Sequence, residues 1–268
     1  MPIAPDGSAY ELAGPEHAPC VVLIHGLGLN RACWQWTIPA LADGYRVLSY
    51  DLYGHGDSVD PPEAPSLSLF SRQLRNLLDN CGIVDAVIAG FSLGGMIARR
   101  FAQDLPDRAR ALVILHSPHQ RSAEAQAAIL ARVEQARDQG PAATVDAALE
   151  RWFTEDFRQA NPAMMDTVRG WVTANRKEVY HRIYRVLADG IDEITAPVSP
   201  LSCPALVITG DEDFGNGPEM TRAIAAEIKG AQALVLPGLR HMALAQDPAA
   251  VNKPLRRFLD GLPRGATG

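Results

Sequence analysis

The chain has 268 residues, of which 47% are hydrophobic and 21% are charged, and these values are typical of one soluble globular domain. A formal net charge of -6 and the absence of long Lys/Arg runs argue against nucleic-acid binding, because that binding depends largely on neutralised phosphates. No apolar run approaches the roughly 20 residues that span a bilayer, and residues 1–12 lack the pattern of a secretory signal. We therefore expect a cytoplasmic protein that binds neither nucleic acid nor membrane.

Six short runs rich in aliphatic and β-branched residues predict β-strands. They span residues 21–25, 46–51, 86–91, 111–116, 205–210 and 233–236. Most are continuously apolar, which indicates strands buried on both faces of a parallel sheet. Five further segments show apolar spacing near the helical period: residues 33–42, 67–78, 93–105, 218–229 and 248–259. This alternation predicts an α/β fold, a mostly parallel sheet flanked by helices.

The segment 120–195 interrupts the alternation. It is rich in Ala, holds Trp152 and Trp171, and has the composition of several successive helices. Pro197, Pro200 and Pro204 then mark the return to the sheet, because proline cannot continue a helix. We therefore expect a core formed by residues 1–119 and 197–268, with residues 120–196 inserted as a helical cap.

The motif Gly90-Phe91-Ser92-Leu93-Gly94 follows a predicted strand and begins a predicted helix, as a nucleophile elbow requires. Glycines two positions before and after the serine keep side chains away from the sharp turn. Ser92 is the predicted nucleophile, and the N–H of Leu93 is one predicted oxyanion donor. The alternative is a glycine-rich turn whose serine only caps the helix.

A second oxyanion donor is expected in a turn after an earlier strand. Gly26 and Gly28 flank Leu27 directly after the strand at 21–25, so the N–H of Leu27 is the candidate. His25 is expected to brace this loop, because a base that precedes the nucleophile is in the order that this arrangement disfavours.

The general base should be a histidine in a loop at the sheet edge, since an unperturbed imidazole has a pKa near 6.5 and can accept a serine proton. His241 lies in such a loop, between the last predicted strand and the final helix. The other histidines lie in the N-terminal tail, in the cap and its approach, or in a loop after the second predicted strand: His17, His116, His119, His181 and His55.

The third member must be a carboxylate in a loop after a strand. The segment from Gly210 offers Asp211, Glu212 and Asp213. We predict Asp213 as the partner of His241, with Asp211 next, because an acid beside the terminal glycine more often serves the turn itself.

Taken together, these motifs resemble the α/β-hydrolase superfamily over nearly the whole chain, and the order Ser92, Asp213, His241 is the order of that family. The resemblance implies an eight-stranded, mostly parallel sheet with a helical cap inserted after the sixth strand. The short leader before Val21 leaves room for a truncated first hairpin.

Within the superfamily, the cap segment 149–154 and the following Phe157-Arg158 are most similar to 3-oxoadipate enol-lactonases, whereas the loop 25–28 is closer to general carboxylesterases. The lactonase resemblance implies that Trp152 lines the acyl pocket; a tryptophan in the cap core is the alternative. It also implies a substrate with a free carboxylate near a cation, for which Arg151 and Arg158 are the candidates.

The predicted activity is hydrolysis of a small carboxylic ester or lactone through an acyl-enzyme on Ser92. C–C bond hydrolases and cofactor-free perhydrolases share this triad and remain alternatives, as does a hydrolase-fold receptor or binding module. A serine at position 92 argues against epoxide hydrolases and haloalkane dehalogenases, which use aspartate there.

No metal or organic cofactor is expected. The scattered Cys20, Cys33, Cys81 and Cys203 lack the spacing of a zinc or redox motif. We expect a monomer or homodimer.

Overall fold

The computed structural model describes residues 2–195, 197 and 200–263. A seven-stranded sheet with the order β1-β3-β2-β4-β5-β6-β7 forms its centre. The strands are β1 (Tyr10–Ala13), β2 (Cys20–Ile24), β3 (Arg46–Tyr50), β4 (Ala86–Phe91), β5 (Ala109–Leu115), β6 (Ala205–Gly210) and β7 (Gln232–Leu236). All six predicted strands are present within two residues of their expected ends, and the predicted α/β-hydrolase architecture is confirmed.

Strand β1 was not predicted. It has four residues of mixed polarity, pairs antiparallel with the edge of β3, and places Tyr10 opposite Tyr50. Before β1 the described chain forms only an isolated bridge between Ile3 and Ala9. The sheet therefore has seven described strands, one fewer than the resemblance implies. The inserted helices follow β5, the fifth described strand, whereas the resemblance implies an insertion after the sixth of eight.

Helices cover both faces of the sheet and fill the insertion. They are α1 (Ile38–Leu41), α2 (Leu67–Asn80), α3 (Leu93–Asp104), α4 (Ala123–Gln139), α5 (Ala142–Trp152), α6 (Glu155–Ala160), α7 (Pro162–Thr173), α8 (Lys177–Asp189), α9 (Pro218–Ala226), α10 (Ala243–Gln246) and α11 (Pro248–Asp260). The single helix expected at 33–42 is divided into a 3-10 turn, Arg31–Trp34, and α1. Pro39 explains the division, because a proline ring disfavours a continuous helix through the preceding turn.

The two faces of the sheet belong to two separate apolar clusters. Val22 and Ile24 lie in the cluster that contains the buried faces of α2 and α3. Val21 and Leu23 lie in the other, which contains the buried face of α11. Since successive side chains of a strand point to opposite faces, this division explains why the strands are continuously apolar.

Helices α4 to α8 and the following 3-10 turn, Gly190–Glu193, lie between β5 and β6 and are called the helical insertion below. Ile129 of α4 packs with one core cluster, and Leu149 of α5 packs with the other. The predicted end of the cap at Ala196 lies outside the described residues, so the cap as a separate unit stays a prediction. Within the described ranges, no helix combines the length and apolar character needed to cross a bilayer.

Candidate active site

Ser92 occupies a strained turn between β4 and α3. Its φ of 56° is in the left-handed region, which residues with a Cβ rarely adopt. A Cβ at Gly90 would overlap the backbone of Gly94, and a Cβ at Gly94 would overlap the backbone of Ile24. The turn therefore requires glycine at both positions, as the motif predicts. The N–H of Ser92 donates to the carbonyl of Leu115 at 2.8 Å, which fixes the turn to the end of β5.

The residues of the two expected oxyanion donors, Leu27 and Leu93, lie close to Ser92. Leu93 begins α3, so its N–H has no partner within the helix, while its side chain packs in the core. Leu27 lines the same cavity as Ser92. The loop before Leu27 approaches Ser92 closely, since a Cβ at Gly26 would lie 3.1 Å from the Cβ of Ser92.

Two buried histidines brace the Leu27 loop. The Nε2 of His25 accepts the N–H of Leu52 at 3.0 Å, and the Nε2 of His55 accepts the N–H of Gly28 at 3.1 Å. Burial lowers the pKa of His25 to about 4, and burial together with the nearby His25 lowers the pKa of His55 to about 3. Both rings are thus neutral acceptors near neutral pH. The bracing contact of His25 fits the sequence expectation, whereas that of His55 was missed.

Asp213 and His241 form a buried pair at the same edge of the sheet. The Nδ1 of His241 lies 2.8 Å from Oδ2 of Asp213, and the N–H groups of Gly215 and Asn216 donate to Oδ1 at 3.2 and 3.0 Å. Burial alone would raise the pKa of the Asp213 carboxyl, but the charge and hydrogen bonds of the surrounding imidazoles outweigh burial and lower it well below its usual range. Asp213 is therefore an ionised acceptor.

Asp211 serves a different purpose. Its Oδ1 accepts the N–H of Gly238 at 2.7 Å, which ties the turn after β6 to the turn after β7. Asp211 is exposed, whereas Asp213 is buried. The structure therefore brings Asp213, and not Asp211, to His241.

His116 is a site residue that sequence reasoning set aside as part of the approach to the cap. Its Nδ1 lies 2.9 Å from Oδ2 of Asp213, the oxygen that His241 also contacts. Its position after a predicted strand could have indicated this role. His116 directly follows β5, and β5 lies between the strands that precede Ser92 and Asp213. Parallel strands deliver the residues after their carboxyl ends to one edge.

A cavity of about 110 Å³ contains both Ser92 and His241 in its wall. Side chains of the helical insertion, or of the segment just before it, form the opposite wall: Arg121, Ile129, Arg132, Thr144, Ala148, Arg151, Trp152, Tyr180, Tyr184 and Leu187. The ring of Trp152 lies 6.0 Å from that of His241. Trp152 thus lines the cavity and also packs against a core cluster. The sequence left a pocket-lining and a core position open as alternatives, and Trp152 occupies both.

The loop of His241 is joined to the end of α5. The N–H of Met242 donates to the carbonyl of Trp152 at 2.9 Å, and the Nη1 of Arg240 donates to the carbonyls of Glu150 and Phe153 at 2.8 and 3.0 Å. A cation at the last carbonyls of a helix is favourable. These bonds hold Trp152 beside the imidazole.

Three arginines line the cavity, and none of them forms an ion pair with a carboxylate of the described residues. The Nη2 of Arg121 donates to the carbonyl of Leu187 at 3.1 Å, and the Nε of Arg132 donates to the hydroxyl of Tyr184 at 3.0 Å. Arg151 forms no hydrogen bond or ion pair with the described residues. Burial, followed by the charge of Arg132, lowers the pKa of Arg151 and lowers that of Arg121 to about 10. Arg121 and Arg151 are therefore partly desolvated cations near the charge of Arg132, and the charges of Asp189 and Glu150 offset the two shifts only in part.

The other candidate cation, Arg158, does not belong to this cluster. It is not among the described residues that line the cavity, and its buried Nε has no hydrogen-bond partner. The only carboxylate in the described lining is that of Asp213, whose oxygens already accept N–H donors. An anion in the cavity would consequently meet unpaired positive charge.

One group of described side chains has the proximity of metal ligands. His116, Asp213 and His241 are all buried, and their donor atoms lie within 4.8 Å of one another. Both imidazoles direct Nδ1 at the same carboxylate oxygen, so these atoms already satisfy one another.

The chain is similar to several hydrolases along most of its length. It is 28% identical over 243 residues to (E)-2-((N-methylformamido)methylene)succinate hydrolase of Acinetobacter baylyi, covering 91% of each protein. It is 28% identical to 3-oxoadipate enol-lactonase 2 of the same organism over 76% of this chain and 75% of that protein.

The crystal structure of the enol-lactonase from Burkholderia xenovorans superposes with a TM-score of 0.86 at 28% identity, covering 94% of this chain and 96% of that one. A model of the alpha/beta hydrolase family matches residues 21–253. Because this match covers most of its length, the chain belongs to the alpha/beta hydrolase family.

Proposed function

We propose that this hydrolase cleaves small carboxylic esters or lactones through an acyl-enzyme on Ser92. The observation that carries the proposal is the convergence on one cavity of a serine on a strained elbow and an imidazole bound to a buried carboxylate. A serine hydroxyl is a weak nucleophile until a positioned base accepts its proton. His241 is the base in this proposal, because it lines the same cavity as Ser92.

The tautomer of His241 follows from its partner. Asp213 is ionised and can only accept, so the Nδ1 of His241 carries the proton and donates it to the carboxylate. Nε2 is then the nitrogen with a free lone pair, and it accepts the proton of Ser92 as the hydroxyl attacks the carbonyl carbon.

Charge on the carbonyl oxygen is stabilised by the N–H groups of Leu27 and Leu93 in this scheme. The protonated Nε2 of His241 next donates to the departing alkoxide or, in a lactone, to the ring oxygen. The acyl group remains on Ser92. A water molecule deprotonated by the same nitrogen then hydrolyses the acyl-enzyme.

The arginine cluster supports an acyl group that bears a second, ionised carboxylate. Desolvated guanidinium groups that repel one another are stabilised by a bound anion, and a carboxylate matches their paired donors. Arg151 is the best placed of them to bind it, because its donors are unused by the described residues. The relatives whose names contain succinate and 3-oxoadipate, both dicarboxylates, agree with this choice.

The nucleophile is tested by Ser92→Ala. We expect loss of covalent labelling by a fluorophosphonate and a loss of kcat on the order of 10³ or more, with an unchanged circular dichroism spectrum. Near-normal turnover by the folded variant would contradict the acyl-enzyme mechanism.

The acyl preference is tested by kcat/KM for matched p-nitrophenyl esters, the hemisuccinate against the butyrate, and for small lactones with and without a carboxylate. We expect the charged substrates to be preferred by about tenfold or more, the size of one charge-assisted contact. Arg151→Gln should abolish most of the preference, whereas Arg182→Gln, exposed on α8, should retain it. Equal or better values for neutral esters in the wild-type protein would instead favour a general esterase.

A further inference from the structure

The Asp213 carboxylate carries more hydrogen bonds than the proposed mechanism uses. His116 and His241 both approach Oδ2 through Nδ1, at 2.9 and 2.8 Å, and the two rings are edge-on at an interplanar angle of 85°. Two backbone N–H groups satisfy Oδ1. Four donors thus bind the Asp213 carboxylate. One of them, the imidazole of His116, has no part in the proposed mechanism.

The protonation state of His116 follows from its surroundings. The ring is 1% exposed, its Nε2 has no hydrogen-bond partner among the described residues, and burial lowers its pKa. A neutral ring has one proton, and the ionised Asp213 can only accept it, so the proton is on Nδ1. His116 is therefore a permanent donor to Oδ2.

The backbone of His116 has a strained conformation at the position where its ring contacts Asp213. Its φ is 50°, and apart from Ser92 it is the only described non-glycine residue with a positive φ. Its N–H donates to the carbonyl of Ile208 at 2.8 Å, and its carbonyl accepts the side-chain amide of Asn216 at 3.0 Å. An unfavourable conformation of this kind persists only where neighbouring contacts fix it, and such positions cluster at functional sites.

We infer that His116 is a positioning residue that holds the Asp213 carboxylate and divides its charge between two imidazoles. The inference rests on the proposed function, because the charge matters only if His241 gains and loses a proton during turnover. A carboxylate that binds one imidazole alone would stabilise the His241 imidazolium more strongly. His241 would then give its proton to the leaving group less readily and would stay charged to a higher pH.

Two pairs of charged side chains lie on the chain segments next to Asp213 and His116. Glu212 contacts Arg240 at 3.4 Å, and His119 contacts Glu227 at 2.9 Å. These pairs are common to every variant used below, so a shift in the pH profile between variants reports the contact of His116 with Asp213.

The test compares His116→Asn with His116→Gly. Both residues tolerate a positive φ, but only the asparagine amide places an N–H where Nδ1 of histidine lies. We expect His116→Gly to lower kcat by about tenfold with an unchanged KM, and to move the acid limb of kcat/KM up by about half a pH unit. His116→Asn should restore both within about threefold and a few tenths of a unit.

Two kinetic outcomes would overturn the inference: a glycine variant with the kcat and acid limb of the wild type, or a folded asparagine variant as impaired as the glycine one. The ring proton is measured independently by ¹⁵N NMR of histidine-labelled protein. Because burial lowers the pKa of His116 below its usual value of about 6.5, we expect protonated Nδ1 and bare Nε2 on this ring at pH 7 to 8. A proton on Nε2 would refute the contact even in a protein without esterase activity, and absent activity alone would refute only the proposed function.

Discussion

At the scale of single residues, two acids near the end of β6 differ in what they contact. Asp213 is buried and accepts from two imidazoles, while Asp211 is exposed and accepts one backbone N–H from Gly238. A carboxylate can stabilise the positive imidazole of His241 and fix its tautomer, but an amide has no charge to do so. The two positions should therefore respond differently to the same substitution.

We predict that Asp213→Asn lowers kcat by as much as about 10⁴. Asp211→Asn should keep most activity and lower the free energy of unfolding by no more than about 1 kcal/mol, because an amide oxygen still accepts from Gly238. The measurement is kcat of both variants at one pH, with circular dichroism to show that each is folded. An inactive Asp211→Asn beside an active Asp213→Asn would contradict the assignment of the acid.

At the scale of elements, the site depends on close contacts between a turn and the strands beside it. A Cβ at Gly94 would overlap the backbone of Ile24 at the end of β2, and a Cβ at Gly90 would overlap the backbone of Gly94, so neither glycine has room for a side chain. Gly170, inside α7, has open space where its Cβ would be. We therefore expect a glycine-to-alanine substitution to have opposite effects on stability at Gly90, at the end of strand β4, and at Gly170, inside helix α7.

We predict that Gly90→Ala lowers the free energy of unfolding by about 3 kcal/mol or more, because the added methyl overlaps backbone that cannot move independently. Gly170→Ala should raise it by about 0.5 to 1 kcal/mol through the lower backbone entropy of the unfolded chain. Urea denaturation of both variants provides the measurement. Equal stabilities for the two variants would mean that the elbow is not sterically constrained.

At the scale of the whole molecule, buried neutral histidines make stability depend on pH. The pKa of His25 is lowered to about 4 and that of His55 to about 3, mainly by burial, from about 6.5 in an unfolded chain. Below about pH 6.5 the unfolded state binds protons that the folded state does not. The stability contributed by these rings is therefore complete above about pH 6.5 and is lost as the pH falls toward 4.

We predict that the free energy of unfolding falls by about 1.4 kcal/mol per pH unit for each of these histidines between roughly pH 6 and 4.5. His55→Gln retains an acceptor for the Gly28 N–H but cannot titrate, so it should lose its share of the slope. His181→Gln, on the outer part of α8, is the control and should keep the full slope. An unchanged slope in His55→Gln would contradict a neutral buried His55.

Much of the architecture could be predicted because its signals are local. Largely apolar runs at β2, β4 and β6 reflect burial on both faces, and the glycines around Ser92 reflect a turn that only they permit. The sequence did not predict strand β1, because β1 lacks such a local signal. Its four residues lie at the sheet edge, where a half-exposed strand needs no continuous apolar run.

The sequence by itself determined the alternation of strands and helices, the elbow at Ser92 and the loops that carry Asp213 and His241, because periodicity and turn chemistry are properties of neighbouring residues. Only the tertiary structure decided which distant side chains share a partner. His116 and Asp213 are 97 positions apart, and Arg121, Arg132 and Arg151 converge only when the helical insertion folds over the cavity. Such contacts depend on strand order and helix packing, which bring together residues that no local pattern connects.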